Sequence, residues 1–587
     1  MSILAALLEQ AGHDPKNTPK HSTLGRVFLS DPVRETADFA RIAALPRRRW
    51  QDLDSQIDRL TARFARVPHV RLLEMQAAAL AEIEQLKTCN VVASLGGGKT
   101  LVTALVPVLL ASQTPLFLNY ARLLDKTVRE FRELAAEWRI CHGYKFLSVE
   151  KLSTASHADY LERLRPDLIV IDEGHSLASP TGARFRRLRR YKEAHPEVVI
   201  VVLTATPGVD LDQYAHVQDL LLDDGSPCPR EPDVLREWCE AMNVHVRGQR
   251  RPPGALVRLG SGGAGLDDVR EGVGRRIEET PGNIYSRSAE SIDCSIYIAD
   301  TRVELPASMD ELVSSAWHDL ILPDGRCFEE LYSKPLIIKQ LGAGFAKVLD
   351  PIPPIEWREA RSLWSSFVRA IVSNEEAFGL DTPAQVKAAV RRGEIDDGGL
   401  LDHWCEVEPT FTPCTKTEWF DLSVVQFAAL WLVQERGLCW VSQPTVGRKL
   451  AELTGLPFFH ANGVDPTHGS IEAYRATTGA IVAVRPNMLG RNLQRWSKNL
   501  YITPPPSPLE LDQSIGRTAR RGQRAPTVEV TFVLTVRENW ESVTSARVAA
   551  QAERALGKNE SSRLLLCDWC VSDLATVNSW KGPRWKR

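Results

Sequence analysis

The sequence predicts an α/β protein: two parallel-sheet lobes in tandem, with a mainly helical insertion between them. Three observations carry that reading. From residue 66 to 208, the short apolar runs Asn90 to Ala93, Pro115 to Asn119, Leu168 to Ile171 and Val198 to Leu203 alternate with amphipathic stretches. Such alternation is what strands buried under helices on both faces of a parallel sheet require. The pattern lapses over 209–420. It returns over 421–540, with a helix around Val424 to Glu435 and strand-like Leu438 to Val441, Ile481 to Val484 and Leu500 to Ile502.

The remaining segments follow in order. Residues 1–65 read as an N-terminal helical extension without recognisable chemistry. Inside 209–420, Gln249 to Gly265 is rich in Pro, Gly and Arg and reads as a loop, and amphipathic helices are expected near Trp357 to Val372 and Pro383 to Arg392. Residues 541–587 read as a helical and then basic tail.

Bulk composition excludes whole classes. At 587 residues the chain is long enough for several domains and a large core. With 43% hydrophobic and 25% charged residues it is neither disordered nor membrane-like. No run of about 18 apolar residues occurs, so no membrane span is expected. Net charge is −2, so a polyanionic partner would have to meet local basic patches. The 11 scattered cysteines suit a reducing cytoplasm, and Met1 to Glu9 has no basic leader of a secretory signal.

The chemistry starts at Ala93-Ser94-Leu95-Gly96-Gly97-Gly98-Lys99-Thr100, a glycine-rich loop between a strand and a helix, Leu101 to Leu110. Small residues such as Gly96, Gly97 and Gly98 let backbone N–H groups approach phosphates, and the helix N-terminus favours their charge. Lys99 is placed to reach the β- and γ-phosphates of a nucleoside triphosphate and Thr100 to hold Mg²⁺. Leu168 to Ile171 is a strand ending in Asp172-Glu173-Gly174-His175. Asp172 suits Mg²⁺ and Glu173 suits orienting and deprotonating an attacking water. Thr204-Ala205-Thr206 is the next sheet-edge turn, with hydroxyls placed to link the hydrolysis site to the other lobe. Gln76 carries the donor and acceptor that reading an adenine edge requires. Far along the chain, Gln513, Arg517 and Arg520 fall at i, i+4 and i+7 of a helix preceded by Ser507-Pro508-Leu509-Glu510, which reads as a capping box. Two guanidinium groups supplied from a second lobe are what an arginine-finger arrangement needs.

Taken in order, Gln76, Ala93–Thr100, Asp172–His175, Thr204–Thr206 and Gln513–Arg520 resemble the motifs of superfamily-two helicases over roughly 66–208 and 421–525. Within them the chain most resembles Swi/Snf-type DNA translocases, through Asp172–His175, the Gly516 to Gln523 ending, and Gly490-Arg491-Asn492-Leu493-Gln494. Arg491 stands where that group has Leu, and Ala205 where it usually has Gly. The resemblance implies two RecA-like lobes, ATP and Mg²⁺ in the cleft between them, and nucleic acid bound across both. It places Arg122, Ser442, Gln443 and Asn492 at nucleic-acid contacts. It also implies a partner in DNA, duplex or single-stranded, with replication, repair or recombination proteins beside it, in a bacterial or phage-infected cytoplasm. An RNA helicase and an ATP-switched binding module are the alternatives. Basic residues Arg184, Arg186, Arg187, Arg189, Arg190 and Lys192 are a further candidate DNA-facing run, as are Arg247, Arg250 and Arg251. Trp580, Lys581, Arg584, Trp585, Lys586 and Arg587 form a basic, aromatic tail that reads as a solvated end. Cys567 and Cys570 read as buried thiols rather than half of a zinc site.

Overall fold

The computed structural model describes residues 31–48, 52–93, 98–208, 210–242, 251–260, 265–286, 294–323, 334–374, 378–474, 478–505, 507–557, 564 and 567–571. Its first lobe is built on β1 (Cys89–Val92), β2 (Pro115–Asn119), β3 (Lys145–Ser148), β4 (Leu168–Asp172), β5 (Val199–Thr204) and β6 (Asn283–Tyr285). They pair in the order β3-β2-β4-β5-β1-β6, every neighbour parallel. Alternate residues of one strand enter different cores. Phe117 and Val170 face one apolar cluster while Leu116, Leu118, Ile169 and Ile171 face another. A strand buried on both sides has this two-residue period, which is why the runs read as continuously apolar.

The second lobe is built on β7 (Ser295–Arg302), β8 (Phe345–Leu349), β9 (Thr415–Trp419), β10 (Leu438–Val441), β11 (Phe458–Phe459), β12 (Val464–Asp465), β13 (Gly469–Ser470), β14 (Ala480–Ala483), β15 (Lys498–Tyr501), β16 (Thr527–Leu534) and β17 (Cys567–Cys570). Its main sheet runs β11-β14-β10-β15-β16-β7-β17, again all parallel. Cys439 and Val441 face one core, Leu438 and Trp440 the other. The architecture is therefore α/β with two parallel-sheet lobes.

Two strands of the stretch 209–420 join the lobes themselves. β6 joins the first sheet beside β1, and β7 joins the second between β16 and β17. The tail likewise returns to the second sheet as β17. These strands pair with partners remote in sequence, so no local periodicity announced them. A buried polar cluster pins β6: Asn90 and Gln218 each donate to Asn283 Oδ1, at 3.1 and 2.8 Å.

The helices that position the site are α1 (Glu74–Leu86), α2 (Lys99–Leu110), α3 (Ala121–Leu134) and α4 (Ala183–Ala194) in the first lobe. A separate module contains α5 (Ile355–Ser373), α6 (Pro383–Arg391) and α7 (Leu400–Val407), and it has its own core of Trp357, Trp364, Val386, Leu401 and Trp404. It enters and leaves through the antiparallel β8–β9 ribbon on the second lobe. The last two helices used below are α8 (Pro508–Thr518) and α9 (Arg537–Ala552). Among the described residues, no helix is long and apolar enough to cross a membrane.

Candidate functional site

Register brings the first-lobe motifs to one edge. Val92 pairs with Thr204, Asp172 with Leu203 and Leu118 with Ile171, so the loops after β1, β2, β4 and β5 leave the sheet side by side. Ligands of open parallel sheets bind at that carboxyl edge.

Lys99 opens α2 behind Gly98, whose φ of 78° is left-handed. A Cβ at Gly98 would fall 2.1 Å from Gln76 Nε2, so the loop passes only as glycine. Ser94, Leu95, Gly96 and Gly97 lie outside the described residues. Gln76 is buried, and its amide is engaged twice: Oε1 accepts from Leu73 N at 2.8 Å and Nε2 donates to Gly98 O at 3.2 Å. The expected adenine reader therefore ties the start of α1 to the phosphate loop.

Lys99 Nζ donates to Ala93 O at 3.0 Å and carries its charge toward Asp172 and Glu173. Thr100 Oγ1 donates to Glu130 Oε2 at 3.4 Å. Asp172 accepts from Asn119 Nδ2 at 3.1 Å and from Glu173 N at 3.0 Å. Burial, then the adjacent Glu173 charge, raises the Asp172 carboxyl against the pull of Lys99. Glu173 behaves oppositely. Burial works to raise it, but His175, Lys99 and Arg517 together hold it below the usual carboxylate range. Its backbone is left-handed at φ 61°, ψ 58°, an uncommon conformation for a residue with a side chain and one that concentrates at functional sites. The donor set fits hydrated Mg²⁺: a hydroxyl and a carboxylate, both hard oxygen ligands, beside an ammonium for phosphate.

The second lobe meets this edge through α8. Its Gln513 is fully buried and Nε2 donates to Thr206 Oγ1 of the first lobe at 3.4 Å. Thr206 is itself held by Thr204, whose Oγ1 donates to Thr206 O at 3.0 Å. Arg517 is buried, its Nε bonded to Gln513 O at 3.1 Å, near enough to Glu173 for its charge to favour the carboxylate. Arg520 does not share the helical face as expected, because α8 ends at Thr518. It reaches back to Arg491 O at 3.1 Å and Asn492 Oδ1 at 2.6 Å, and it feels Glu130 of the first lobe. The capping box at Ser507 does not form: Ser507 caps without a side-chain bond, and Glu510 pairs with Arg485 at 2.9 Å.

The four expected nucleic-acid residues stand on both lobes. Arg122 lies on the interlobe cleft, stacked 5.4 Å from the Tyr120 ring centre, with Nη1 donating to Arg485 O across the lobes at 2.7 Å. Ser442 Oγ bonds to Thr503 O at 2.8 Å, and Gln443 is the N-terminal cap residue of the helix Pro444–Thr454. Asn492 is occupied by Arg520. Arg491 reaches Asn462 O and lies 3.4 Å from Glu472. A cavity of about 780 Å³ opens between the lobes, lined by Tyr120, Arg122, Lys126, Arg129 and Arg491 among others.

The basic run on α4 is corrected in part. Arg186 and Arg187 are buried, and Arg187 and Arg190 both bind Asp381 of the helical module. Lys192 Nζ donates to Pro196 O and Val198 O. Arg251 pairs with Glu240 at 2.9 Å, while Arg247, Arg250 and the basic tail from Trp580 to Arg587 lie outside the described residues. Cys567 and Cys570 sit on a strand three residues apart, hence on opposite faces, with Cys570 exposed. No group of three metal-binding side chains exists among the described residues.

Sequence reasoning passed over Asn119, Tyr120 as a side chain, and Glu130. Asn119 had a signal, a polar residue ending an apolar strand. Glu130 had none, because only the packing of α3 brings it to Thr100.

Comparison with known proteins agrees with the first lobe. Residues 69–209 match the family described as type III restriction enzyme, res subunit. No curated protein matches the chain. Among solved structures, the helicase domain of Hef from Pyrococcus furiosus is similar at 13% identity and a TM-score of 0.36, covering 80% of this chain and 97% of that one. Over residues 69–209, which carry Lys99, Thr100, Asp172 and Glu173, the chain is thus similar to a superfamily-two helicase-type domain.

Proposed function

We propose that this protein is a nucleic-acid-stimulated ATPase that moves along DNA, with Mg²⁺–ATP taken up between its two lobes. The observation that carries the reading is the seating of α8 from the second lobe on the sheet edge of the first, where Gln513 Nε2 donates to Thr206 Oγ1 at 3.4 Å and Arg517, one turn further on, adds its charge to those that keep Glu173 ionised. Charge on a transferring phosphoryl group is best stabilised by cations fixed in advance, and a cation on a separate lobe makes that stabilisation depend on lobe geometry.

In this reading Lys99 would bind the terminal phosphates, and Thr100 and Asp172 would hold Mg²⁺, which when bound would supply positive charge to the reacting group. Glu173, kept ionised by His175 and Lys99, orients the attacking water and accepts its proton. Arg517 supplies the second lobe's cation to the reacting group, and Arg520, held on Arg491 O and Asn492 Oδ1, adds its charge only on release from them. Gln513 and Thr206 keep the two lobes in register. Arg122, Ser442, Gln443 and Asn492 are the backbone-contacting positions, with sequence-independent phosphate contacts. The Swi/Snf-like run from Gly516 to Gln523 supports movement on duplex without strand separation.

The test is the ATPase rate against length and strandedness of added nucleic acid. Stimulation that rises with duplex length, and falls at least about 100-fold in Lys99→Ala, supports the reading. Stimulation by RNA alone would assign an RNA motor, and a rate indifferent to length would assign a switched binding module.

A further inference from the structure

We propose that Tyr120 and His175 are positioning residues that transmit occupancy of the interlobe cavity to the carboxylate of Glu173. The proposal rests on the ATPase reading above and names how that site is regulated.

The connection is short. Tyr120 follows β2 and precedes α3, and its hydroxyl lies 3.2 Å from His175 Nε2. The two rings stand 5.7 Å apart, tilted by 35°. The other ring nitrogen, Nδ1, lies 3.4 Å from Glu173 Oε2. Both of these side chains are over nine-tenths buried, at 7% and 9% exposure. On its outer side Tyr120 carries the Arg122 guanidinium, which is bonded across the cleft to Arg485 O. Tyr120 and Arg122 both line the cavity of about 780 Å³. Two side chains therefore span the distance from the cavity wall to the hydrolytic carboxylate.

The chemistry of imidazole gives this arrangement a direction. A neutral ring has one donor and one acceptor, and the partner of one nitrogen sets the role of the other. With the Tyr120 hydroxyl donating to Nε2, the proton sits on Nδ1 and points at Glu173. With the roles reversed, a lone pair faces the carboxylate and repels it. The acceptor-only carboxylate of Glu173 selects the tautomer with the proton on Nδ1, and the Tyr120 hydroxyl completes that arrangement by donating to Nε2.

That last contact is incomplete. Glu173 Oε2 and His175 Nδ1 are both buried and neither makes a full hydrogen bond, although they face one another at 3.4 Å. At 3.4 Å the contact is long, and a small displacement of the imidazole shortens it. A phosphodiester entering the cavity competes for Arg122, drawing it from Arg485 O and from the Tyr120 ring. Tyr120 and His175 then shift as a unit, the Nδ1–H···Oε2 bond closes, and Glu173 is fixed in the orientation that holds the attacking water. A displacement of 1 Å or less is of the order that changes rates in a preorganised site.

The experiment uses the full chain and steady-state ATP hydrolysis with a linear duplex, the matching single strand, or neither. Tyr120→Phe keeps the ring and removes the hydroxyl, and His175→Gln removes the imidazole. Each is expected to lower the nucleic-acid-saturated kcat about tenfold, with KM for ATP and duplex Kd changed by less than about twofold. The double variant is expected to lose no more than either single one, because both interrupt one path. Melting temperature identifies a variant that has lost its fold, and a loss of kcat that tracks melting overturns the proposal. So does a Tyr120→Phe protein with wild-type stimulated kcat, a defect confined to duplex Kd, or losses that multiply in the double variant. A wild-type protein that shows no nucleic-acid-stimulated turnover overturns the ATPase reading itself, a result distinct from all of these.

Discussion

Arg187 and Asp381, 194 residues apart in the chain, form an ion pair at 3.1 Å in which their side chains are only 2% and 1% exposed. Arg190 adds a second guanidinium to the same carboxylate, at 2.5 Å to Oδ2 and 3.1 Å to Oδ1. Arg186 extends the contact by donating to Val372 O at 2.7 Å. The helical module, rooted on the second lobe, is thereby fastened to α4 of the first.

Removing one partner of such a pair strands the other charges in a low-dielectric setting. Asp381→Asn is expected to cost about 3–5 kcal/mol of local stability. Arg190→Ala, at a side chain 39% exposed, should cost about 1 kcal/mol or less. Hydrogen exchange of residues 355–411 in each variant measures both, and equal protection in the two would remove the argument.

Glu173→Gln retains the shape of the side chain and loses its basicity. Hydrolysis should fall about 10²- to 10⁴-fold while a fluorescent ATP analogue still binds with near wild-type affinity. A variant that turned over at a tenth of the normal rate or faster would mean that another group activates the water.

Glu538, on α9, is 3% exposed. Burial pushes its carboxyl up to about 7 and the Glu541 charge adds to this, while its own backbone N–H, Arg537 and Lys339 oppose it. The folded form therefore binds the proton more tightly than the unfolded form does. This stabilisation is full below the unfolded value near 4.5 and is lost as pH rises toward 7. Glu538→Gln should gain stability over wild type as pH rises through that window, by at most on the order of 3 kcal/mol at pH 8. Denaturation midpoints at pH 5 and pH 8 that move in parallel would refute it.

Cys570 is exposed on the outermost strand of the second sheet, whereas Cys89, Cys228 and Cys439 are buried and burial pushes their thiols upward. Alkylation of the native protein at neutral pH should label Cys570 well before those three, as read by peptide mass spectrometry. Zinc should be absent from the purified protein. Stoichiometric zinc lost on Cys570→Ser would contradict the strand geometry.

Reading along the chain worked where chemistry is local. β2 and β10 run over the same residues as the apolar runs, Pro115–Asn119 and Leu438–Val441, because a strand buried on both faces must be apolar throughout. Lys99, Thr100, Asp172 and Glu173 were legible as a group for a similar reason: each stands at the loop that follows a strand, and register brings those loops to one sheet edge. Charge alone misled. Six basic residues within α4 look the same whether they face solvent or a buried Asp381, and the carboxylate that decides between the two lies in another module.

Residue types, periodicity and short-range spacing were enough to reveal two parallel-sheet lobes and the cluster of polar side chains at the edge of the first. Long-range packing alone decided that β6, β7 and β17 would complete the sheets, that Gln76 would brace the phosphate loop, and that Tyr120 would stand behind His175. Those outcomes depend on which surfaces meet across hundreds of residues, and a pairing of that kind leaves no trace in the pattern on either side.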